Sequence, residues 1–349
     1  MRVWIRLSDS NEINKKTVYK KITLKDVAQK AGVSYASVSA VLNNSLESRI
    51  RVSEKTKQKI LQVADTLGYF PDIMARSLKS GKKSLIAVFT YEKKFPIEVN
   101  NEFYGFFVGV EKASEKLGYD LLIINRRPTI DDKFSRVLFA DGAIVIGIHK
   151  DAESIKTLVR QHFPIVFIGR REFQGIKTNW ITFDYKTVIC ELLEHMYKKY
   201  VRSFIYLEDI DSIGEASQDK KRFLLIAAAK KNMHIKTYEV NNDFTLKKDF
   251  IDDIKNKKAV ILSRIKQIEP FETLCKREGI VIGKDILAAV LEDDWTGCFS
   301  DWTRWSNKRT ELGESAVNLL IKHLADCNIE SKETAVKPEL IISRTTQGK

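Results

Sequence analysis

At 349 residues the chain is too long for one small domain, so two or three domains are expected. Its 59 Lys and Arg against 46 Asp and Glu leave a net charge of +13. No run of about 18 apolar residues occurs, so no membrane-spanning helix is expected. The four cysteines, Cys190, Cys275, Cys298 and Cys327, are scattered without paired spacing. That pattern argues against a zinc cluster or a disulfide frame and suits a reducing cytoplasm.

Residues 1–21 (MRVWIRLSDSNEINKKTVYKK) hold no signal-peptide apolar core and read as a flexible basic arm. From Ile22 the pattern turns helical. Thr23 can cap a helix, with Asp26 three positions on in a capping-box spacing. Leu24, Val27, Ala28 and Ala31 fall on one face. Gly32 ends that helix, because the turn needs a residue tolerant of positive φ. Ser34 then caps a second helix whose Val38, Val41 and Leu42 face inward. Tyr35, Ala36, Ser37, Ser39, Ala40 and Asn43 face outward, and all are small or hydrogen-bonding. Two short helices about a Gly-Val-Ser turn form a helix-turn-helix that can push its second helix into a DNA groove, or a helical hairpin that only packs.

Ser53 starts a third helix with Ile60, Leu61, Ala64 and Leu67 as its apolar stripe and Gly68 at its end. It closes a small core with the first two and leaves Lys55, Lys57 and Lys59 exposed. In the intervening NNSLESRIR stretch, Arg49 and Arg51 either touch phosphates or lie in a solvated loop. Charge and motif coincide: residues 1–84 carry 17 Lys and Arg against 7 Asp and Glu, a net +10, and the remaining 265 residues only +3. Basic residues that meet phosphates release counterions and drive salt-sensitive DNA binding.

TLKDVAQKAGVSYASVSAVLN, followed by VSEKTKQKILQVADTLGYFPDIMARSL, resembles the head of the LacI/GalR family of transcription regulators. The resemblance is strong over Thr23 to Leu78 and mostly architectural beyond. It implies that Tyr35 and Ala36 sit over base edges, that Thr23, Ser34, Ser37 and Asn43 touch phosphates, and that Ser39 shares this face. Ala40 stands where some relatives use an arginine for direct readout. After Pro71, Asp72 can cap a short helix that is marginal alone in water. The resemblance implies that this segment folds on DNA, with Leu78, beside Ala75, wedged into the minor groove to bend the duplex.

From about Leu85 short apolar runs alternate with amphipathic helices. LIAVF, YDLLIIN, GAIVIGI, PIVFIG, ITFD, SFIYLE, AVILS and ILAAVL read as strands, and VKPELIISRTT resembles the family's closing strand. Helices are expected over 103–117 and near 131–139, 151–162, 186–199, 217–233, 267–278 and 310–325. Such alternation indicates parallel sheets covered on both faces. The fold class is therefore α/β: a small all-α head, then two doubly wound lobes resembling a periplasmic binding protein. The expected domains are 1–21 (arm), 22–70 (helix-turn-helix), 71–83 (hinge helix and linker) and 84–349 (effector binding and dimerisation). Crossings between the lobes are expected near 184, 265–270 and 295–305, with Asp184 a structural residue at the first. The amino-side lobe looks trimmed over Asn125 to Ala140.

Ligands in such folds sit at the carboxyl ends of strands, between the lobes. The resemblance points to Phe103 as an aromatic near the ligand and to Asp293, first of the Asp293-Asp294 pair, as a residue that binds a sugar hydroxyl. Arg222 lies near the family's ligand-binding arginine, but Leu225 replaces the glycine that normally follows. Arg264 falls where many relatives have Asn or Asp. Trp295, like Trp302 and Trp305, can stack on a sugar ring or belong to a core or interface. If Arg222 and Arg264 both point inward, the effector is anionic, such as a sugar phosphate or acid.

No Gly-x-Ser-x-Gly, His-Glu-x-x-His or strand-borne Gly-x-Gly-x-x-Gly occurs, and the five histidines form no metal spacing. The chain thus reads as a non-enzymatic, cytoplasmic, homodimeric repressor with no cofactor or metal. Its expected partners are a pseudo-palindromic DNA operator and a small effector, a sugar or an anionic derivative. The alternative is a core that has lost sensing and serves dimerisation or a protein partner.

Overall fold

A computed structural model describes residues 21–42, 51–70, 81–90, 101–124, 134–147, 153–212, 214–241, 248–256, 259–326 and 334–347. Two compact units divide the chain, Met1–Lys83 and Ser84–Lys349. Asn43, Ala75, Leu78, Arg49, the arm up to residue 20 and the segment after Pro71 lie outside the described residues.

The first unit holds α1 (Leu24–Ala31), α2 (Tyr35–Leu42) and α3 (Glu54–Leu67). Thr23 and Asp26 close the expected capping box: the Thr23 amide donates to Asp26 Oδ2 at 2.8 Å and the Asp26 amide to Thr23 Oγ1 at 3.4 Å. Ser34 Oγ accepts from the Ser37 amide at 3.1 Å, and Ser53 Oγ from the Thr56 amide at 3.3 Å. Gly32 and Gly68 end α1 and α3 in the left-handed region, with φ of 63° and 64°. Val27, Ala28, Ala31, Val38, Ile60 and Ala64 form the core, with Val41 and Leu42 packed against it. The expected stripe of α3 needs one correction. Leu61 is exposed, and Val63 packs on the core in its place. One residue of helix is about 100° of rotation, which carries Leu61 from the core-facing position of Ile60 out to solvent.

The second unit is two parallel sheets. Strands β1 (Leu85–Thr90), β2 (Asp120–Ile124), β3 (Gly142–Ile146), β4 (Ile165–Ile168), β5 (Asn179–Phe183) and β11 (Thr334–Val336) form the first, in the order β11-β5-β4-β3-β1-β2. Strands β6 (Ser203–Asp209), β7 (His234–Val240), β8 (Ala259–Leu262) and β9 (Leu287–Val290) form the second, in the order β7-β6-β8-β9. A two-stranded antiparallel ribbon joins β10 (Arg304–Ser306) to β12 (Glu339–Ile341).

Strand alternation sends neighbouring side chains to opposite layers. In β1, Ile86 and Val88 face α4 (Tyr104–Lys116) and α10 (Arg309–Ala325), whereas Ala87 and Phe89 face α5 (Glu153–Arg160). The second sheet packs on α6 (Tyr185–Lys198) and α7 (Glu215–Lys230) on one side, and on α8 (Lys248–Asn256) and α9 (Ile268–Arg277) on the other. A last short helix, α11, spans Arg344–Gln347. Helices α4 and α10 meet backbone to backbone. A Cβ built on Gly109 would lie 2.0 Å from the Thr310 carbonyl oxygen, and one on Gly313 2.3 Å from that of Phe106.

The chain passes between the lobes after β5, after β10 and between β11 and β12. Asp184 caps α6 at the first passage, accepting from the Thr187 amide at 3.0 Å. The passage expected near 265–270 does not occur: β8 and β9 are neighbours in one sheet, and a 3-10 turn plus α9 join them within the second lobe. The passage expected near 295–305 falls later, at residues 307–308. The single closing strand is instead two, β11 in the first lobe and β12 in the ribbon. Pro338 lies between them, and a residue without an N–H suits a break in a ladder. The helix expected near 131–139 is a 3-10 helix at Phe134–Phe139, and residues 125–133 lie outside the described set. β7, α8 and β10 were not anticipated; the exposed polar residues of His234–Val240 hide its period-two signal.

Candidate nucleic-acid interface and ligand cleft

On the head, Thr23, Ser34, Tyr35 and Ala36 are exposed, and Ser37, Ser39 and Ala40 are half-buried. Tyr35 retains 52% of its surface at the start of α2. Three hydroxyls proposed for phosphate are already engaged. Thr23 Oγ1 donates to Asp26 Oδ2 at 2.7 Å, and the Ser34 and Ser37 hydroxyls lie 2.8 Å apart. These bonds hold the start of each helix, so a phosphate would have to share them. Lys55, Lys57 and Lys59 are exposed along α3.

In the second unit a cavity lies between the lobes, about 840 Å³ of open space including its mouth. Its charged wall comes from residues just beyond strand ends. Gly147 follows β3, Arg170 and Arg171 follow β4, Arg264 follows β8 and Glu292 follows β9. This is where the topology of open parallel sheets puts ligands. Helix α7 contributes Glu215 and Lys220, and the start of α10 contributes Arg309. Phe103, Phe106, Tyr185 and Trp305 supply an aromatic wall.

Ion pairs cross this cleft. Arg170 Nε lies 2.7 Å from Asp219 Oδ2, and Arg171 Nη1 lies 3.2 Å from Glu215 Oε1. Arg264 Nη2 lies 3.4 Å from Glu102 Oε2, and Arg309 Nε lies 3.2 Å from Asp293 Oδ2. Arg309 also donates to the Glu102 carbonyl. Beneath them, Lys220 is fully enclosed. Its ammonium donates to the carbonyls of Ser263 at 3.2 Å and Leu291 at 3.0 Å, with Glu292 Oε1 at 3.8 Å. Burial lowers the Lys220 ammonium to about 8, against the opposing pull of Glu292. Burial likewise raises the Asp293 carboxyl, and the Arg309 guanidinium pulls it back. For Arg170 the bond to Asp219 raises the guanidinium further.

The sequence candidates separate on this geometry. Phe103 and Arg264 line the cavity. Asp293 stands behind Arg309, and Trp295 packs half-buried on the second-lobe core with the Arg309 guanidinium carbon 5.5 Å from its ring centroid. Arg222 does not line the cavity. It lies on the exposed side of α7, next to Asp219 at 3.4 Å, in a separate shallow surface pocket with Glu208 and Lys221. The helix turns Ser217 and Lys220 inward and rotates Arg222 away. Trp302 belongs to the core, its indole N–H donating to Glu272 Oε1 at 2.7 Å, and Trp305 reaches the cavity. Arg170, Arg171, Lys220 and Arg309 were not singled out from the sequence. The pair after PIVFIG carried a signal, since it directly follows a strand end. Lys220 carried none, because QDKKR reads as a solvated helix face.

The family description "Bacterial regulatory proteins, lacI family" matches residues 23–72. The head of the chain, over those residues, thus matches the lacI family. Among curated relatives, the chain is 23% identical over 339 residues to the HTH-type transcriptional regulator RegA of Clostridium saccharobutylicum, covering 93% of this chain and 99% of RegA. It is 26% identical over 202 residues to the HTH-type transcriptional regulator KdgR of Bacillus subtilis (strain 168), covering 56% of this chain and 57% of KdgR. A likeness of fold to solved structures extends through both units. The Lac repressor dimer bound to operator and the anti-inducer ONPF is similar with a TM-score of 0.73 and 18% identity, covering 94% of this chain and 99% of that one.

Proposed function

We propose that this chain is a transcription repressor that binds DNA sequence-specifically and whose operator affinity is set by a small ligand in the interlobe cavity. One observation carries the reading: a lacI-family head and a cation-lined cavity at strand ends occur in one chain. In a homodimer, two heads read the half-sites of a pseudo-palindrome, the symmetry of the protein mirrored in the DNA. Tyr35, Ala36, Ser39 and Ala40 supply the base-facing surface of α2; Thr23, Ser34, Ser37 and Asn43 the phosphate contacts; Ala75 and Leu78 the central minor-groove wedge. The protein works in the cytoplasm and performs no catalysis. Ligand and DNA are linked, so the ligand shifts DNA affinity only by its differential affinity for the two lobe arrangements.

The test is selection of bound duplexes from a random pool at fixed salt, with wild type and Leu78→Ala compared. Enrichment of a palindrome that Leu78→Ala loses supports the reading, and no enrichment by the wild type overturns it. The interlobe ion pairs favour a second reading, in which the cleft is closed by its own charges and the core serves only dimerisation. In that case no small molecule alters operator affinity.

A further inference from the structure

Among the described residues, two uncharged polar side-chain atoms at the cavity wall have no hydrogen-bond partner, which is costly for buried groups. Trp305 is 1% exposed, and its indole N–H, a donor only, bonds to nothing among the described residues. The side-chain oxygen of Asn307, two residues further along the passage between the lobes, is a buried acceptor with no partner. Both residues line the cavity. A donor and an acceptor left open on one strand and its exit suit hydroxyl groups, each of which can accept and donate.

The arginines at the same place are each ion-paired, but Arg309 keeps an open edge. Arg170, Arg171 and Arg264 each face a carboxylate through their own ion pairs. Arg309 spends Nε on Asp293 and Nη1 on the Glu102 carbonyl, and its Nη2 has no partner among the described residues. One guanidinium edge is thus open to a further hydrogen bond, although Asp293 already offsets part of the Arg309 charge. A single negative charge fits that edge with charge-assisted hydrogen bonds. A dianion would meet Glu102, Glu215 and Glu292 on the same wall. Phe103 and Phe106 supply apolar faces suited to the C–H surface of a short carbon chain or ring.

Resting on the repressor reading above, we propose that the effector is a compact polyhydroxylated monocarboxylic acid. Its carboxylate lies on the open edge of Arg309, and its hydroxyls accept from Trp305 Nε1 and donate to Asn307 Oδ1.

Calorimetric titration of the full chain tests this, with D-glucuronate, D-galacturonate and D-gluconate as probes. D-glucose, D-galactose, acetate and D-glucose 6-phosphate are the comparisons. At least one hydroxy acid should bind tenfold or more tightly than its neutral sugar and than acetate. Trp305→Phe, which keeps the ring and removes the donor, should weaken that acid about tenfold. Asn307→Asp, nearly isosteric, should weaken the acid more than the neutral sugar by setting an anion beside the carboxylate. Arg309→Gln should erase the preference for acid over sugar, and Arg309→Lys should keep part of it; circular dichroism confirms that each variant is folded.

Equal or tighter binding of the neutral sugars overturns the proposal, as does tighter binding of the phosphate. Binding by none of the hydroxy acids also overturns it and leaves the two open groups to water. Selected operator duplexes are followed in parallel. If operator binding persists while the acids fail, this proposal falls and the repressor reading stands; if operator binding itself is absent, that reading falls.

Discussion

Arg170 and Asp219 join the two lobes, Nε to Oδ2 at 2.7 Å, with Asp219 5% exposed and Arg170 18% exposed at the side chain. The two partners are not equivalent. Arg170 also reaches Glu172 Oε2 at 3.0 Å on its own loop, whereas the other neighbour of Asp219 is the exposed Arg222. Removing the arginine therefore leaves a buried carboxylate with only the exposed Arg222 beside it, and removing the aspartate leaves a cation still paired with Glu172. Arg170→Ala should cost about 3 kcal/mol of core stability and Asp219→Ala about 1 kcal/mol less. The double mutant should reveal a coupling of about 1–3 kcal/mol. Urea unfolding followed by tryptophan fluorescence measures all three; equal costs without coupling would show that the pair does not hold the cleft.

Gly313→Ala tests the crossing of α4 and α10. The added methyl carbon would meet the Phe106 carbonyl oxygen at 2.3 Å, a contact that backbone must move to relieve. The expected loss is about 2 kcal/mol, in the range of overpacked cores. Gly118→Ala, where a Cβ meets nothing within 4 Å but φ is 73°, should lose only the strain of that backbone, about 1 kcal/mol. Thermal melts of the two variants should rank in that order.

Lys220 gives the core a pH dependence of known sign. Its folded value is lowered to about 8 by burial, below the 10.5 of an exposed lysine. Between these values the unfolded chain holds a proton that the folded chain has released, so this group's contribution rises with pH from about 8 to 10.5. It falls away again as pH drops through the folded value. The stability of wild type relative to Lys220→Met should therefore improve from pH 7.5 to pH 10 in parallel urea titrations. A difference that stays flat, or moves the other way, would mean the ammonium is held charged by Glu292 throughout.

Tyr35→Ala addresses the head. The ring is half exposed and contributes nothing to the head's core, so helicity should be unchanged. Operator affinity should drop about tenfold, the scale of one lost base-edge contact. Gel-shift titration at one fixed salt concentration checks this. Thr23→Ala, by contrast, should lower head stability by about 1 kcal/mol through the lost cap and weaken DNA binding only indirectly.

How far the sequence could be read differs between head and core for physical reasons. In the head each decision is local: Thr23 with Asp26, Gly32 at positive φ, Ser53 before α3. Such signals sit within four residues of one another, and only Leu61 was misjudged, by one helical step. In the core, the strands buried on both faces were plain, because LIAVF or GAIVIGI have few other uses. Edge elements such as β7 and β10 carried too little apolar signal. The cleft was the least legible. Arg264 meets Glu102 and Arg309 meets Asp293 only because strands far apart in the chain end at one place. No spacing rule predicts such meetings, and Arg222 shows the cost of a two-residue error of register on one helix.

Residues 309–336 complete the first lobe, yet they follow the second-lobe elements from β6 to β10 in the chain. Translation must therefore deliver the whole second-lobe sheet, β6 to β9, before the first lobe can acquire α10 and its edge strand β11. A stop codon anywhere between 185 and 308 truncates both halves at once. No such allele can leave a usable first lobe behind, and nonsense alleles across that span should behave as uniform nulls in a reporter assay. A graded series, with milder effects toward the end, is not open to a protein threaded in this way.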